Sequence, residues 1–433
     1  MEQRNIVLIT WDSVRADHCS CYGYSKETTP FLDSLARRGL KFENAIVSGL
    51  PTPISMGGIF TTRYQLQEKI RGKTLAEIFS KKGYITAAFH SNPFASRYYA
   101  FNRGFQIFND YIIKSGDKEF DRSSNKLRKI LSKLIIKSKI VNIERVRFYY
   151  NLLNVAIRGK YDVGLRFEDF YNNIIQFIDS CDKNYFIWIL LIDTHFPYVP
   201  KDMHRIEKLK SMILYDKFYS QGITRSKSNM VDTKKLKLII KSYDKCIRYA
   251  DQMTKKLWKD IKDTDPILVI HADHGDAFGE HGFFGHPPEH YEYLIRVPLV
   301  IYNVDISEKI EQPVSLLNFS PTICKFAGIG NEFIKDDLLN SKLKYTVTVN
   351  KLKEGLRVTV RGREWKLIIN PDRENELYNI KKDSNESLNL LNDEKDIAEK
   401  LKTIAKQEIK KISECERIDN IKYKIKNKLG EVL

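Results

Sequence analysis

The chain has 433 residues, of which 42% are hydrophobic and 12% aromatic, so it can bury a substantial core. Its 13 prolines and 21 glycines exclude a collagen-like or low-complexity chain. Its 72 lysines and arginines exceed its 55 acidic residues, and the net charge of +17 favours contact with anionic substrates, polymers or membrane surfaces without specifying one of them.

The first half of the chain alternates between strand and helix patterns. Residues 6–11, IVLITW, form a short apolar run typical of a buried parallel strand, and residues 29–39 have helical spacing with a glycine stop. Further apolar runs predict strands at 84–89, 185–192, 267–271 and 297–302. This alternation predicts an α/β fold with a doubly wound, mostly parallel sheet flanked by helices.

Other segments differ in composition. Residues 113–160 are basic and amphipathic, which predicts a helical insertion packed on the sheet, with a lid, a membrane-surface helix or a partner helix as alternatives. Residues 204–232 are polar and charged, and we predict a loop-rich segment there. Residues 344–370 predict a short antiparallel meander, and the last fifty residues a lysine-rich helix.

These segments predict three parts of the chain. They are a catalytic domain at 1–335 that carries the 113–160 insertion, a small β subdomain at 336–380, and a basic helical tail at 381–433. The N-terminal apolar run is too short for a signal peptide, and no run of about 18 apolar residues predicts a transmembrane helix. With no CxxC pair or disulfide framework among the six cysteines, we expect a cytoplasmic protein, with peripheral membrane contact open.

Acidic and imidazole side chains follow three of the predicted strands. Asp12 follows the first strand, Asp193 ends the 185–192 run, and Asp273 and His274 follow the 267–271 run. Open α/β sheets bind ligands at the carboxyl ends of their strands, so we expect these groups to converge. The sequence therefore predicts one functional site at this edge of the sheet.

Residues 271–290 concentrate metal-binding chemistry. They contain five of the nine histidines, together with Asp273, Asp276 and Glu280. Imidazole and carboxylate groups are good ligands for divalent metals, and the mixture suits zinc or manganese, while calcium or magnesium remains open. Residues 49–64 add hydroxyl groups before a stretch that can begin a helix, where an anion is favoured.

Several motifs in a fixed order carry a resemblance to a known family. The chain resembles the sulfatase-like hydrolases and transferases of the alkaline phosphatase superfamily. The motifs that carry this resemblance are NIVLITWDSVRAD, TPISMGGIFTTRY, HFPYVP, ADHGDAFGEHGFFGH and RVPLVIY. The resemblance covers nearly all of residues 4–390, leaving the 113–160 insertion and the tail unmatched.

The resemblance implies roles for individual residues. Asp12, Asp273, His274 and the Thr52 oxygen match the metal ligands, for one ion or two. Ser13 stands where the family often has a second acid, which removes one ligand.

The resemblance also implies groups that act on the ester. His195 matches a histidine that contacts the ester or leaving group, and His281 and His286 lie where the family places substrate-facing residues. A second metal site from Asp193, His195 and His286 is an open alternative. Arg15, Asp17 and Arg361 match structural positions.

The nucleophile position falls on Thr52. Sulfatases convert a cysteine or serine there to formylglycine, in a motif that ends in arginine four residues later, where this chain has Met56. A threonine cannot become that aldehyde. We therefore expect catalysis by Thr52, His195 and His286 through a covalent intermediate on unmodified threonine, with Ser55 as the alternative nucleophile or a capping residue.

The resulting hypothesis is a metal-dependent hydrolase or transferase of phosphate or sulfate esters, with a phosphoester favoured. The alternatives are sulfuric ester hydrolysis and a non-catalytic protein that binds an acidic polymer or membrane surface. We expect an anionic ester, glycan- or lipid-linked, as the partner. Since no aromatic-interleaved basic stripe appears, no nucleic acid is expected.

Overall fold

The computed structural model describes residues 2–67, 69–111, 165–200, 203–222, 233–340 and 344–430, with side chains to 215 and 418 in the helices that end at 222 and 430. The predicted insertion at 113–160 lies outside these residues. Among the helices described, none combines the length and the apolar character that a membrane span requires.

A central sheet organises the protein. Among the described residues its strands lie in the order β11, β2, β10, β6, β1, β5, β3, β4, with β9 paired to β2. The bounds are β1 Ile6–Trp11, β2 Leu40–Ile46, β3 Ile85–His90, β4 Ile107–Asn109, β5 Tyr185–Leu191, β6 Ile267–Ala272, β9 Arg296–Val297, β10 Leu299–Tyr302 and β11 Glu308–Ser315. A small hairpin lies between β6 and β9, formed by β7 Ala277–Phe278 and β8 Phe284–Gly285.

Helices cover the sheet. They are α1 Pro30–Ala36, α2 Thr52–Thr61, α3 Leu75–Lys81, α4 Phe167–Asp179, α5 Arg205–Gly222, α6 Thr233–Ile261, α7 Glu292–Ile295 and α8 Phe319–Phe326. All residues of β1, β5 and β6 are buried, which explains their continuous apolar runs. The predicted α/β fold with a mostly parallel sheet is confirmed.

The predicted strand at 297–302 is divided. Pro298 lacks an N–H group for the ladder, and β9 and β10 lie on either side of it. β10 runs antiparallel to both β2 and β6, so the sheet is mixed at this point. The other four predicted strands agree with the structure to within one residue.

The prediction of a loop-rich segment at 204–232 was wrong for most of its length. Arg205–Gly222 form α5, and Met212 and Tyr215 are buried on it. Lysine, glutamate, leucine and methionine are good helix formers, and glycine and proline are absent between residues 204 and 221. Polar composition was therefore a poor guide to local structure here.

The C-terminal part forms a second sheet. β12 Thr346–Lys351, β13 Leu356–Arg361, β14 Trp365–Ile369 and β15 Glu376–Asn379 pair antiparallel in sequence order. The helical tail, α9 Lys395–Gly430, packs Ala398, Leu401 and Ala405 against this sheet and buries a separate apolar core. The predicted antiparallel appendage and helical tail are confirmed, while the domain boundaries stay a prediction.

Candidate functional site

Three adjacent strands carry the site. β1 lies between β5 and β6, parallel to both, and Trp11 pairs with Leu191 on one side and Ala272 on the other. The residues that follow these strands therefore emerge at one level of the sheet edge. Asp12 and Asp273 are the next residues along β1 and β6, and both are fully buried.

A compact ligand group forms at this edge. Asp12, Asp273 and His274 each place a ligand atom within 4.8 Å of the others. Asp273 Oδ1 accepts hydrogen bonds from the backbone N–H groups of Ser13, at 3.0 Å, and His274, at 2.9 Å. Asp273 Oδ2 has no hydrogen-bond partner among the described residues and lies 3.4 Å from His274 Nε2.

The electrostatics of this group fit a cation. Burial, followed by the charge of Asp273, raises the pKa of Asp12 to about 7. Asn92 Nδ2 donates to Asp12 Oδ2 at 2.5 Å, and the Ser13 hydroxyl donates to Oδ1 at 2.9 Å. Two buried carboxylates with an unsatisfied oxygen remain costly until a positive charge compensates them. The residues present therefore fit a divalent metal.

Thr52 joins the ligand group from another element. It is the first residue of α2, where the positive end of the helix dipole favours negative charge on the side chain. Its Oγ1 lies 3.3 Å from His274 Nε2, and the residue is buried. Gly58 allows α2 to approach the sheet, because a Cβ atom there would lie 2.1 Å from Ser48 Oγ.

Two further imidazoles line the site. The His286 ring centroid lies 4.5 Å from that of His274 and 5.2 Å from that of His195. Burial lowers the pKa of His195, whose Nδ1 is 2.8 Å from the carbonyl oxygen of Phe196. His286 Nδ1 lies 2.7 Å from Asp276 Oδ1. Successive neighbours therefore connect Thr52 to His274, His274 to His286, and His286 to His195.

A second group of metal-ligand type includes Asp276. His274, Asp276 and His286 place ligand atoms within 4.8 Å of one another. Asp193 and His195, considered above for a second metal, belong to neither group. Asp193 Oδ2 instead accepts from the backbone N–H of Phe167 at 3.1 Å.

The remaining histidines of 271–290 bond to protein groups. His271 Nε2 is 2.9 Å from Thr10 Oγ1, and His290 lies between Thr359 and Asn350. His281 was expected to face the substrate. Its Nδ1 is 3.2 Å from the Tyr293 hydroxyl and its Nε2 is 2.9 Å from the carbonyl oxygen of Glu386. Of the five histidines in this segment, His274 and His286 belong to groups of metal-ligand type, and the other three form hydrogen bonds with other protein groups.

Two neighbours of the site were missed by sequence reasoning. Asn92 contacts Asp12 although it follows β3, two strands away from β1 in the sheet. Asp276 contacts His286 and Tyr198, and it was noted in the sequence without a role. The signal for Asn92 was its place shortly after the predicted strand at 84–89, since it lies two residues beyond His90, where β3 ends.

Two residues close to Thr52 in sequence have structural contacts. Ser55 Oγ donates to the Thr52 carbonyl oxygen at 3.3 Å, as a residue in the first turn of a helix can. Met56 is fully buried in the main core, so its side chain does not replace the arginine that sulfatases have at this position.

A cavity of about 860 Å³ lies elsewhere, between the 280–296 segment and the C-terminal sheet. Arg15 and Arg361 line it, and Thr52, Asp273 and His274 do not. Arg15 pairs with Asp17 at 2.7 Å and Glu280 at 2.6 Å, and Arg361 pairs with Glu292 at 3.1 Å. These paired arginines fit the structural positions that the sequence predicted for them.

Comparison with known proteins identifies the family. The family model described as Sulfatase matches residues 4–329, which is most of the chain. The chain belongs to the Sulfatase family. It is a hydrolytic enzyme, and the sulfatase-like family that the sequence motifs predicted is confirmed.

Known relatives support the same assignment. An arylsulfatase of Clostridium perfringens is 25% identical over 373 residues, which cover 75% of each chain. The phosphonate monoester hydrolase of Agrobacterium radiobacter superposes with a TM-score of 0.70 at 16% identity and covers 95% of both chains. A structure solved with its substrate D-glucosamine-2-N,6-O-disulfate gives 0.67 at 18% identity, covering 95% of this chain and 99% of that one. At these identities the structural likeness supports the fold.

Proposed function

We propose that this Sulfatase-family member cleaves or transfers a phosphoester through unmodified Thr52. The observation that carries the proposal is the Thr52 hydroxyl, 3.3 Å from His274 Nε2 at the group formed by Asp12, Asp273 and His274. The resemblance implies that formylglycine enzymes need a cysteine or serine here, with an arginine four residues later. Thr52 and the buried Met56 depart from both requirements.

The divalent metal would be held by Asp12, Asp273, His274 and the Thr52 oxygen. When bound, such an ion polarises the oxygens of the transferring group and favours ionisation of a coordinated hydroxyl. The buried carboxylates of Asp12 and Asp273 supply two negative charges, so one divalent ion neutralises them. Zinc or manganese suits this mixture of nitrogen and oxygen donors.

The chain's own residues then carry the reaction. The Thr52 hydroxyl gives its proton to solvent, and its oxygen attacks phosphorus, forming a P–Oγ bond as the bond to the leaving oxygen breaks. His195 or His286 donates the proton that the leaving oxygen takes up. In the second half, water or an acceptor hydroxyl attacks phosphorus in the Thr52 adduct, which still carries the other ester group when the substrate is a diester. The histidine that gave up its proton takes one from the attacking oxygen. The P–Oγ bond breaks, and the Thr52 oxygen takes up a proton from solvent.

The charge of the site favours a monoanionic ester. Among the described residues, no lysine or arginine forms a hydrogen bond or ion pair with the side chains of Asp12, Asp273, His274 or His286. A divalent ion that is balanced by two carboxylates leaves little positive charge to bind a dianionic ester. The imidazole groups add positive charge only when they are protonated. A phosphodiester therefore fits better than a phosphomonoester. A sulfate ester carries the same single charge and is the second candidate, which the arylsulfatase relative favours.

A panel of chromogenic esters tests the proposal. Purified protein is assayed with bis(p-nitrophenyl) phosphate, p-nitrophenyl phosphate and p-nitrophenyl sulfate, with and without manganese or zinc. We expect metal-dependent cleavage that is fastest for the diester and lost in Thr52→Ala. The matched control is Thr61→Ala, because Thr61 is a buried threonine at the other end of α2. Faster sulfate cleavage, or full activity in Thr52→Ala, would contradict the proposal.

A further inference from the structure

Asp276 stands at the centre of a group of three side chains, of which Asp276 and Tyr198 are buried and His286 is half-buried. His286 Nδ1 lies 2.7 Å from Asp276 Oδ1, and the Tyr198 hydroxyl donates to Asp276 Oδ2. Asp276 is fully buried and Tyr198 is 1% exposed. The carbonyl oxygen of Asp276 accepts from Arg15 at 3.2 Å, which fixes the backbone as well. Each carboxylate oxygen therefore has a hydrogen-bond partner already.

The same residues raise the alternative of a second metal ion. His274, Asp276 and His286 could supply three ligands. However, His274 Nε2 already faces Thr52 at 3.3 Å and Asp273 at 3.4 Å, and its Nδ1 is 3.0 Å from the Gly275 carbonyl oxygen. One ring nitrogen does not serve two ions. Asp276 and His286 alone give fewer than the three protein ligands of a typical site.

We propose that Tyr198 and Asp276 are positioning residues for His286. The Asp276 carboxylate keeps a proton on His286 Nδ1, and this leaves Nε2 as the ring atom that contacts the transferring group or its leaving oxygen. A carboxylate partner selects the protonated nitrogen and the orientation of an imidazole ring in this way. Tyr198 holds the carboxylate in turn. The catalytic part of this inference rests on the proposed function.

The chain offers a matched control elsewhere. His18 Nδ1 lies 2.9 Å from Asp244 Oδ1, and the Tyr24 hydroxyl donates to Asp244 at 2.9 Å. His18 and Asp244 are buried and Tyr24 is half-buried, while Asp244 also pairs with the exposed Lys26 at 2.6 Å. No residue of this second tyrosine–aspartate–histidine group belongs to either ligand group. Substitutions at Asp244 and Tyr24 therefore reproduce the structural cost without touching His286.

Nuclear magnetic resonance tests the positioning directly and needs no substrate. Protein labelled with ¹⁵N-histidine and loaded with zinc is compared with His286→Gln, which identifies the His286 signals. We expect a proton on Nδ1 of His286 in the wild-type protein and in Tyr198→Phe, and its loss in Asp276→Ala. A wild-type ring without a proton on Nδ1 would overturn the inference whatever the activity of the protein.

Kinetics then separate positioning from folding. With bis(p-nitrophenyl) phosphate we expect Asp276→Ala to lower kcat by about 100-fold or more, while KM changes by less than about threefold. Tyr198→Phe should lower kcat by roughly tenfold at unchanged KM. Asp244→Ala and Tyr24→Phe should leave kcat within about twofold. An equal loss in the Asp276 and Asp244 variants would overturn the inference, because it would indicate a general structural effect.

Zinc titration by calorimetry decides between positioning and ligation. We expect one equivalent of zinc in the wild-type protein and in Asp276→Ala. Two equivalents in the wild type that fall to one in the variant would overturn the inference in favour of a second metal. If the wild type cleaves no ester while His286 Nδ1 carries its proton, the proposed function fails and the positioning contact stands.

Discussion

The Thr52 hydroxyl lies 3.3 Å from His274 Nε2, across 222 positions of sequence. One residue begins α2 and the other follows β6. The contact places a hydroxyl against the buried carboxylates of the sheet edge, which is the arrangement that nucleophilic attack on a metal-held ester requires. Predictions about activity follow first from this pair.

Replacing Thr52 tests the hydroxyl separately from the shape of the side chain. Thr52→Val keeps the branched shape and removes the oxygen, so kcat should fall by at least about 1,000-fold. Thr52→Ser keeps the oxygen and should retain kcat within about tenfold. Steady-state kinetics with a phosphodiester measure both, and circular dichroism checks the fold. Equal activity in the two variants would remove Thr52 from the mechanism.

Asn92 should support the metal site without binding the substrate. Its Nδ2 donates to Asp12 Oδ2 at 2.5 Å, and loss of such an outer contact typically lowers metal affinity by about 10- to 100-fold. We expect this loss for zinc in Asn92→Ala, measured by competition with a chelator. Asn173→Ala is the control, because Asn173 makes an exposed contact with Tyr111. Unchanged zinc affinity in Asn92→Ala would contradict the ligand assignment of Asp12.

A buried lysine should hold the C-terminal sheet to the rest of the protein. Lys366 is fully buried, with Nζ 2.6 Å from Glu386 and 3.2 Å from Glu292. Lys366→Met leaves the buried carboxylate of Glu386 without its cation, while Glu292 keeps its ion pair with Arg361. We expect the substitution to lower the free energy of unfolding by about 3–5 kcal/mol. Urea denaturation measures this, with the exposed Lys381→Met as the control. A loss below about 1 kcal/mol would contradict this role for the ion pairs.

His290 should make the fold sensitive to acid. Burial and the positive charges of nearby Arg357 and Lys366 lower its pKa from 6.5 to about 3. Between these values the unfolded chain binds a proton that the native protein does not, so the free energy of unfolding falls as pH decreases below about 6.5. This group contributes up to about 1.4 kcal/mol per pH unit.

The test of this pH dependence is His290→Gln. The decline of unfolding free energy between pH 6.5 and pH 4 should become shallower than in the wild-type protein. Urea denaturation at several pH values measures the slope. His204→Gln is the control, because His204 is exposed. The same slope in wild type and His290→Gln would contradict the assignment.

Particular residues explain how much the sequence could predict. The apolar runs that became β1, β5 and β6 fixed the positions of Asp12, Asp193, Asp273 and His274, because parallel strands end at one edge of the sheet. The α/β class and the C-terminal meander followed from similar periodicity. Patterns of this kind involve residues that are close together in the sequence, so they can be recognised without the tertiary structure.

Side-chain contacts between distant elements were not predictable in the same way. Asn92 forms a hydrogen bond with Asp12, and Tyr198 forms one with Asp276, because tertiary packing brings their loops together. The same reasoning could not tell that Asp193 bonds to the N–H of Phe167 or that His281 bonds to Glu386. α5 was missed because charged side chains were taken for a loop, although they are good helix formers.

The most direct test of the proposed mechanism is to detect its covalent intermediate. The zinc-loaded protein is mixed with a phosphodiester, quenched in acid within milliseconds, digested and analysed by mass spectrometry. We expect an unmodified threonine at position 52 in the resting protein. After quenching we expect an adduct on Thr52 in which phosphorus still carries the second ester group of the substrate, and this adduct should be absent in Thr52→Val. If the protein cleaves the ester but the adduct lies on another residue, such as Ser55, the result would contradict the role of Thr52 as nucleophile.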